Sequence, residues 1–205
     1  AAGILYQVDT RLRPSGNAGL LVSSLEAFAD YQHREAWTWE HQALLRARAV
    51  AGDAALREAF EAVRRDVLCQ SRDPAALRED VVAMRERMRR ELTVAAPGCF
   101  DIKQDSGGLV DVEFLVQFLI LANAHDHPRL VEERGNARQL RALTECGLIH
   151  SQTAQSLTAA YYELRRLAHH ASLRGERAVT PADAAREAAA VVSRAFDELV
   201  ARSGG

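Results

Sequence analysis

The sequence predicts a mainly α-helical fold: a bundle of about seven or eight helices carrying a short β-hairpin at its N-terminal end. Three observations predict it. Apolar residues recur at helical spacing through most of the 205 residues. One segment, Leu109 to Leu121, is apolar almost all round. Strand-like alternation is confined to the first two dozen residues. In the apolar segment, L-V-D-V-E-F-L-V-Q-F-L-I-L, the polar residues are Asp111, Glu113 and Gln117. At about 100° per residue, Glu113 and Gln117 share one face and Asp111 points nearly opposite, so a helix here is buried on most sides and forms the central rod. It is too short and too acidic to cross a bilayer. Two carboxylates on the first turns of a buried helix need a partner such as a metal or Lys103, or else they complement the helix dipole at a partly exposed end. Gly107 and Gly108 permit positive φ and close backbone approach, and they open a helix N-terminus that favours anions.

The remaining elements follow in order. Ile4, Tyr6 and Val8 alternate with Leu5 and Gln7; a turn cluster, Ser15 to Gly19, then leads into the apolar run Leu20-Leu21-Val22, which reads as a hairpin. Ser23 and Glu26 have capping-box spacing and start a helix carrying Leu25, Phe28 and Tyr31. A helix is expected from Trp37 to Val50, stopped at Gly52. Another, about Ala54 to Cys69, buries Leu56, Phe60, Val63 and Val67. Asp73-Pro74 supplies an N-cap and first helical position. The helix behind it places Leu77, Val81, Met84 and Met88 on one stripe. Its other faces carry Arg78, Arg85, Arg87, Arg89 and Arg90 among Glu79, Asp80, Glu86 and Glu91, a mixed-charge pattern that reads as a solvated face. After the rod, Asn136 to Cys146 is a short helix stopped by Gly147. Ser151 to about Leu173 turns Leu157, Tyr161, Leu164 and Ala168 inward. Thr180-Pro181-Ala182-Asp183 opens the last helix, striped by Ala185, Ala189, Val192, Phe196 and Leu199.

Composition sets bounds on function. With 48% hydrophobic and 26% charged residues the chain has a globular composition. A net charge of −2 argues against bulk nucleic-acid binding. Cys69, Cys99 and Cys146 are odd in number and without motif spacing, which suits reduced cytosolic thiols. No secretory signal is present, and the start inside a strand-like pattern without Met suggests a fragment of something longer. His125, His127, His169 and His170 lack the spacing of a zinc helix. Trp37 and Trp39 flank a helix start and read as core anchors in preference to a base-stacking platform.

The sharpest chemistry sits in V-D-T-R-L-R-P. Asp9, ending a strand, has the character of a Mg²⁺ ligand, and Arg11 and Arg13 at alternate positions suit phosphate oxygens. The plainer alternative is an edge-strand acid paired with its arginines.

Together, ILYQVDTRLRPSGNAGLLVSS, AFADYQHREAWTWEHQALLRARAVAGD and FDIKQDSGGLVDVEFLVQFL closely resemble the glutamine synthetase adenylyltransferase family, bifunctional enzymes that transfer and remove adenylyl groups. The likeness runs in order from residue 4 to the final helix. Val110-Asp111, where the removing half usually has Arg-Glu, and the W-T-W sequence liken the chain to the C-terminal part of the adenylyl-transferring half. The resemblance implies a polymerase-β-like nucleotidyltransferase sheet, with residues 1–23 as its terminal strands and 24–205 as a helical bundle domain. It gives Asp9 the role of third metal-binding acid. The Gly-rich signature and Asp-x-Asp pair that complete such a site are absent from this sequence. It further implies Mg²⁺ and ATP as cofactors, glutamine synthetase and the PII signal protein as partners, and glutamine as effector. Arg11 and Arg13 would then steady the phosphates. Lys103, Gly107, Gly108, Asp111 and Glu113 form a K-x-x-x-G-G element shared with uridylyltransferases acting on PII, facing either the nucleotide or the junction between sheet and bundle. Expected for this chain alone is an inactive fragment; the alternatives are a docking module for glutamine synthetase or PII and a uridylyltransferase.

Overall fold

The computed structural model describes residues 9, 10 and 12–201. Their apolar stripes pack as eight α-helices: α1 Leu25–Arg34, α2 Thr38–Leu44, α3 Ala54–Leu68, α4 Pro74–Leu92, α5 Leu109–Asn123, α6 Asn136–Glu145, α7 Ser151–Leu173 and α8 Ala182–Phe196. One antiparallel strand pair, β1 Cys99–Asp101 with β2 Val179–Pro181, sets Phe100 opposite Thr180. As its composition requires, α5 is the central rod: Asp111, Val112 and every residue from Phe114 to Leu121 are buried. It packs against α2, α4, α6, α7 and α8. Among the described residues no helix is long and apolar enough to cross a membrane.

The mainly helical class and the bundle are as expected, and several boundaries differ for physical reasons. The first strand of the expected N-terminal hairpin, Ile4 to Val8, lies outside the described residues. Its second, Leu20 to Val22, is an irregular exposed segment; a short apolar run becomes a strand only where a ladder is offered to it. The 3₁₀ turn Gly16–Ala18 leads there, with Ser15 left-handed at φ 57°. The strand pair that is present gave no sequence signal, because three residues a side is below any readable alternation. The cap of α1 is Ser24, whose side chain accepts from the Ala27 amide at 3.1 Å, one residue beyond the expected Ser23.

The helix expected from Trp37 to Val50 stops at Leu44. The cause is a buried arginine on the neighbouring helix. Arg64, 2% exposed, donates through Nε to the Leu44 carbonyl at 2.9 Å and through Nη2 to that of Leu45 at 2.7 Å. Its Nη1 donates to the Val131 carbonyl at 3.0 Å. Arg134 takes the Ala47 carbonyl at 2.9 Å and both carboxylate oxygens of Glu61 at 2.7 and 2.6 Å. Carbonyls left open when a helix ends must find donors, and these two guanidinium groups supply them. Leu56, expected inside, is 55% exposed at the start of α3. Trp37 and Trp39, expected as core anchors, stand 64% and 38% exposed.

Replacing Arg64 by Met removes the donors to the Leu45 and Val131 carbonyls and one of the two to that of Leu44, which keeps the Ala47 amide at 3.1 Å. The expected outcome is a loss of roughly 3 kcal/mol or more of stability, read as a fall in melting midpoint on the order of 10 °C. An unchanged midpoint would show that the clamp is dispensable.

Candidate functional site

The sequence-derived candidates fall into two groups at different places in the bundle. The first is the loop entering α1. Asp9 is exposed at its start, and Arg11 lies outside the described residues. Arg13 turns back on its own loop, donating through Nη1 to the Thr10 carbonyl at 2.5 Å and through Nε and Nη2 to the Gly19 carbonyl at 3.4 Å. Gly19 is required there: a Cβ would meet the Pro14 carbonyl oxygen at 2.0 Å. Leu12, Arg13 and Pro14 edge a hollow of about 300 Å³ floored by Phe28, Glu40, Leu44 and Phe60. Glu40 is 8% exposed. It accepts from the Tyr31 hydroxyl at 2.9 Å and from the Trp37 amide at 2.9 Å. Burial first, and then the Glu40 carboxylate, push the Tyr31 phenol above its ordinary pKa.

The second group is a knot between β1 and α5. Asp101, buried, accepts from the Lys103 and Gln104 amides at 2.9 and 3.0 Å, while Asp105 accepts from the Asp101 amide at 2.7 Å. This turns F-D-I-K-Q-D-S-G-G into a closed loop. The Lys103 side chain is exposed. Gly107 has φ 83°, and a Cβ on it would meet the Ala189 carbonyl oxygen of α8 at 2.2 Å. At Gly108 a Cβ would fall within 2.9 Å of the carbonyl oxygens of Ile102, Lys103 and Asp105. Only glycine lets the loop pass between α8 and its own backbone.

The start of α5 has its anion already, supplied by the chain. The Gly107 amide donates to Asp111 Oδ2 at 2.6 Å. The next four amides go to carbonyls: Gly108 to Asp105 at 2.9 Å, Leu109 to Ile102 at 2.9 Å, Val110 to Lys103 at 3.2 Å and Asp111 to Gly108 at 3.1 Å. Asp111 is 1% exposed, and its main partner is Arg85, also 1% exposed, whose Nε donates to Oδ1 at 2.5 Å. Arg85 Nη2 reaches the Gln104 carbonyl at 2.7 Å, and Arg89 Nη2 lies 3.4 Å from both Asp111 oxygens. Burial pushes the Arg85 guanidinium below its ordinary pKa, and Asp111 opposes the shift. The partner that a buried acid demanded is thus Arg85, with Lys103 turned to solvent.

Glu113 leaves the rod on the other side. Arg46, beyond the end of α2, lies 3.3 Å from its Oε1 and donates to the Asn136 carbonyl-amide oxygen at 2.6 Å. The structure therefore brings Gly107, Gly108 and Asp111 together, gives Glu113 a separate partner, and keeps Arg13 with α1, α2 and α3. Among the described residues no group of three or more His, Cys, Asp or Glu is placed to hold a metal ion. Reading the sequence missed Arg85, Arg64 and Glu40. A signal for Arg85 existed: Leu77, Val81 and Arg85 are spaced i, i+4, i+8, so this arginine continues the buried stripe.

The chain can be placed among known proteins. Residues 1–63 match the family model described as glutamate-ammonia ligase adenylyltransferase, and residues 75–190 match the one described as GlnD PII-uridylyltransferase. Over 173 residues the chain is 51% identical to the bifunctional glutamine synthetase adenylyltransferase/adenylyl-removing enzyme of Vibrio parahaemolyticus serotype O3:K6 (strain RIMD 2210633). That alignment covers 84% of this chain and 18% of the relative, so the chain spans less than a fifth of the protein it matches. The V-D-T-R-L-R-P and W-E-H-Q-A-L motifs fall in the first family match and the double-glycine knot in the second. With both motif groups matched and identity this dense along most of its length, the chain belongs to the glutamine synthetase adenylyltransferase family, its helical part sharing the domain that the PII-uridylyltransferase family model describes.

Proposed function

We propose that this chain is the helical support, and supplies one catalytic acid, of an enzyme that transfers AMP from ATP to a tyrosine of glutamine synthetase. The observation that carries the reading is 51% identity over 84% of the chain to a relative bearing that activity in its name. In such a transfer the tyrosine hydroxyl attacks the α-phosphorus in line, and pyrophosphate leaves. Magnesium, when bound, screens the phosphates. One exposed carboxylate does not make a magnesium site, so Asp9 fits only as one member of a set whose other carboxylates belong to the longer protein. In this reading Asp9 stands at the reacting end and helps the hydroxyl lose its proton. Arg13 keeps the loop behind Asp9 closed through Thr10 and Gly19. The knot around Asp111 braces the bundle, since the amides from Gly107 to Asp111 are taken up within the chain.

The same reading gives the longer enzyme the PII signal protein as a partner and glutamine as an effector, and makes residues 1–23 the edge of the nucleotidyltransferase domain. A second reading, a uridylyltransferase acting on PII, is favoured by the family match over residues 75–190. The nucleotide preference of the longer enzyme separates the two.

Three outcomes are expected. Incubated with ATP, Mg²⁺ and glutamine synthetase, this chain alone incorporates no AMP into the synthetase; measurable labelling would refute the assignment of the missing acids to other parts of the protein. In the longer enzyme Asp9→Asn lowers AMP transfer by orders of magnitude with unchanged melting, and near-normal turnover would remove Asp9 from the chemistry. Arg85→Met leaves Asp111 buried without its main partner and costs about 3–5 kcal/mol in a denaturant titration. In the longer enzyme its KM for ATP stays unchanged; a raised KM with normal stability would instead put the knot against the nucleotide.

A further inference from the structure

The first helix of the bundle is lightly fastened. Of the ten residues of α1 only Gln32 is buried. Phe28 adds a ring contact with Phe60 of α3, centroids 5.7 Å apart, and the Tyr31 hydroxyl reaches Glu40 of α2 at 2.9 Å. Where α1 ends, the Ala36 amide turns back to the Tyr31 carbonyl at 2.9 Å, so the Gln32 carbonyl needs a donor from elsewhere. His41 of α2 supplies it, with Nε2 at 2.9 Å from that oxygen.

The two neighbours of the imidazole dictate its state. A carbonyl oxygen only accepts, so Nε2 carries the hydrogen. On the other side Nδ1 faces Arg72 Nη2 at 3.5 Å. A guanidinium only donates, so Nδ1 keeps its lone pair and the ring is neutral. Arg72 is itself held in place. Its Nη2 also donates to the Val67 carbonyl at 2.8 Å, and its Nη1 to those of Leu68 and Gln70 at 2.9 and 3.0 Å. A proton added to Nδ1 would therefore point at a fixed cation.

Arg72 faces the ring from the turn between α3 and α4, His33 from α1 and Glu40 from the ring's own helix. His33 in turn stands 3.2 Å from Asp66 of α3, and Glu40 already accepts from Tyr31 and the Trp37 amide. On the other helices packed against α2, Asp80 of α4 accepts from Thr38 and Glu113 of α5 meets Arg46. Burial is the largest influence on His41 and lowers its pKa; the Gln32 carbonyl opposes it, Arg72 lowers it further, Glu40 opposes and His33 adds to the fall. In the unfolded chain a histidine takes its proton near about pH 6.5. The folded ring takes it lower, so between the two values the unfolded state binds more protons. The stability this contact contributes is full above the ordinary value and is lost as pH falls through the folded one.

We propose that His41 is an acid-sensitive latch: neutral, it fastens the end of α1 to α2 and to the turn between α3 and α4, and its protonation releases α1. Leu12, Arg13 and Pro14 share a hollow with Phe28 and Gln32, so release of α1 also loosens the loop that follows Asp9. The latch is a property of this chain and holds whatever reaction the longer protein carries out.

The test follows the 205-residue chain by nuclear magnetic resonance from about pH 7.5 to about pH 5.5. The chain has seven histidines, and the imidazole signal lost in His41→Gln identifies the one in question. That ring is expected as the neutral form with hydrogen on Nε2, taking its proton below the ordinary histidine value. Amide exchange in α1, corrected for the intrinsic pH dependence, should accelerate about three- to tenfold over this range relative to α5. In His41→Gln, whose amide can donate to Gln32 and accept from Arg72 without titrating, the acceleration should vanish. In His33→Gln it should persist. Hydrogen on Nδ1, titration at or above the ordinary value, α1 exchange indifferent to pH, or acceleration that survives in His41→Gln or disappears in His33→Gln overturns the proposal. Should His41→Gln fail to fold, selective labelling of the histidine rings identifies His41 by its contact with the α1 amides, and the unsubstituted chain decides through its tautomer, its titration and its α1 exchange.

Discussion

The buried pair formed by Arg85 and Asp111 is the constraint to which the rest of the bundle conforms. Removing two charges from water is costly, and the expense is offset only when geometry is good and the remaining lone pairs and protons find partners. Here they mostly do. Asp111 accepts from Arg85 and from the Gly107 amide, with Arg89 at its edge, and Arg85 also reaches the Gln104 carbonyl. To present the Gly107 amide to this carboxylate, the loop takes a positive φ and presses its backbone against α8, where a side chain has no room. One carboxylate thereby fixes the approach of α4, the loop, α5 and α8 to one another. Because so many elements meet there, a charge near the start of the most apolar helix is consistent with a stable core.

Arginine plays a related part at the other end of the bundle. Arg64, Arg72 and Arg134 direct their guanidinium groups onto main-chain carbonyls at helix ends, Arg72 taking those of Val67, Leu68 and Gln70. The planar fork reaches two or three such acceptors at once, which a lysine cannot do. Burial lowers the pKa of both Arg64 and Arg72, as expected for cations withdrawn from water. At these positions the positive charge is engaged with the chain's own backbone and carries no message about anionic ligands.

This distribution separates support from recognition. The double-glycine knot is filled with its own hydrogen bonds, whereas Asp9, Trp37 and Trp39 lie at the surface. An element shared by enzymes with different protein substrates is well suited to bracing, since bracing needs only the chain itself. Surface positions are where a second domain or a ligand reaches side chains and exposed rings.

Much of this was legible in the sequence. Helical periodicity gave α3 to α8 nearly to the residue, the composition of Leu109 to Leu121 named the central rod, and the carboxylates on it called for either a partner, such as a metal or Lys103, or a partly exposed helix end. What the sequence did not disclose was which residue that partner was, where α2 ends, or that two tryptophans face outward. Arg85 continues the stripe of Leu77 and Val81 yet sits among charges that look solvated, and the packing of α4 on α5 is what pairs it with Asp111. Leu44 ends a helix because Arg64, twenty positions on, takes its carbonyl. Periodicity is local and reports how a segment divides into apolar and polar faces; partner choice is set by which faces meet, and that is decided only when the whole chain has packed.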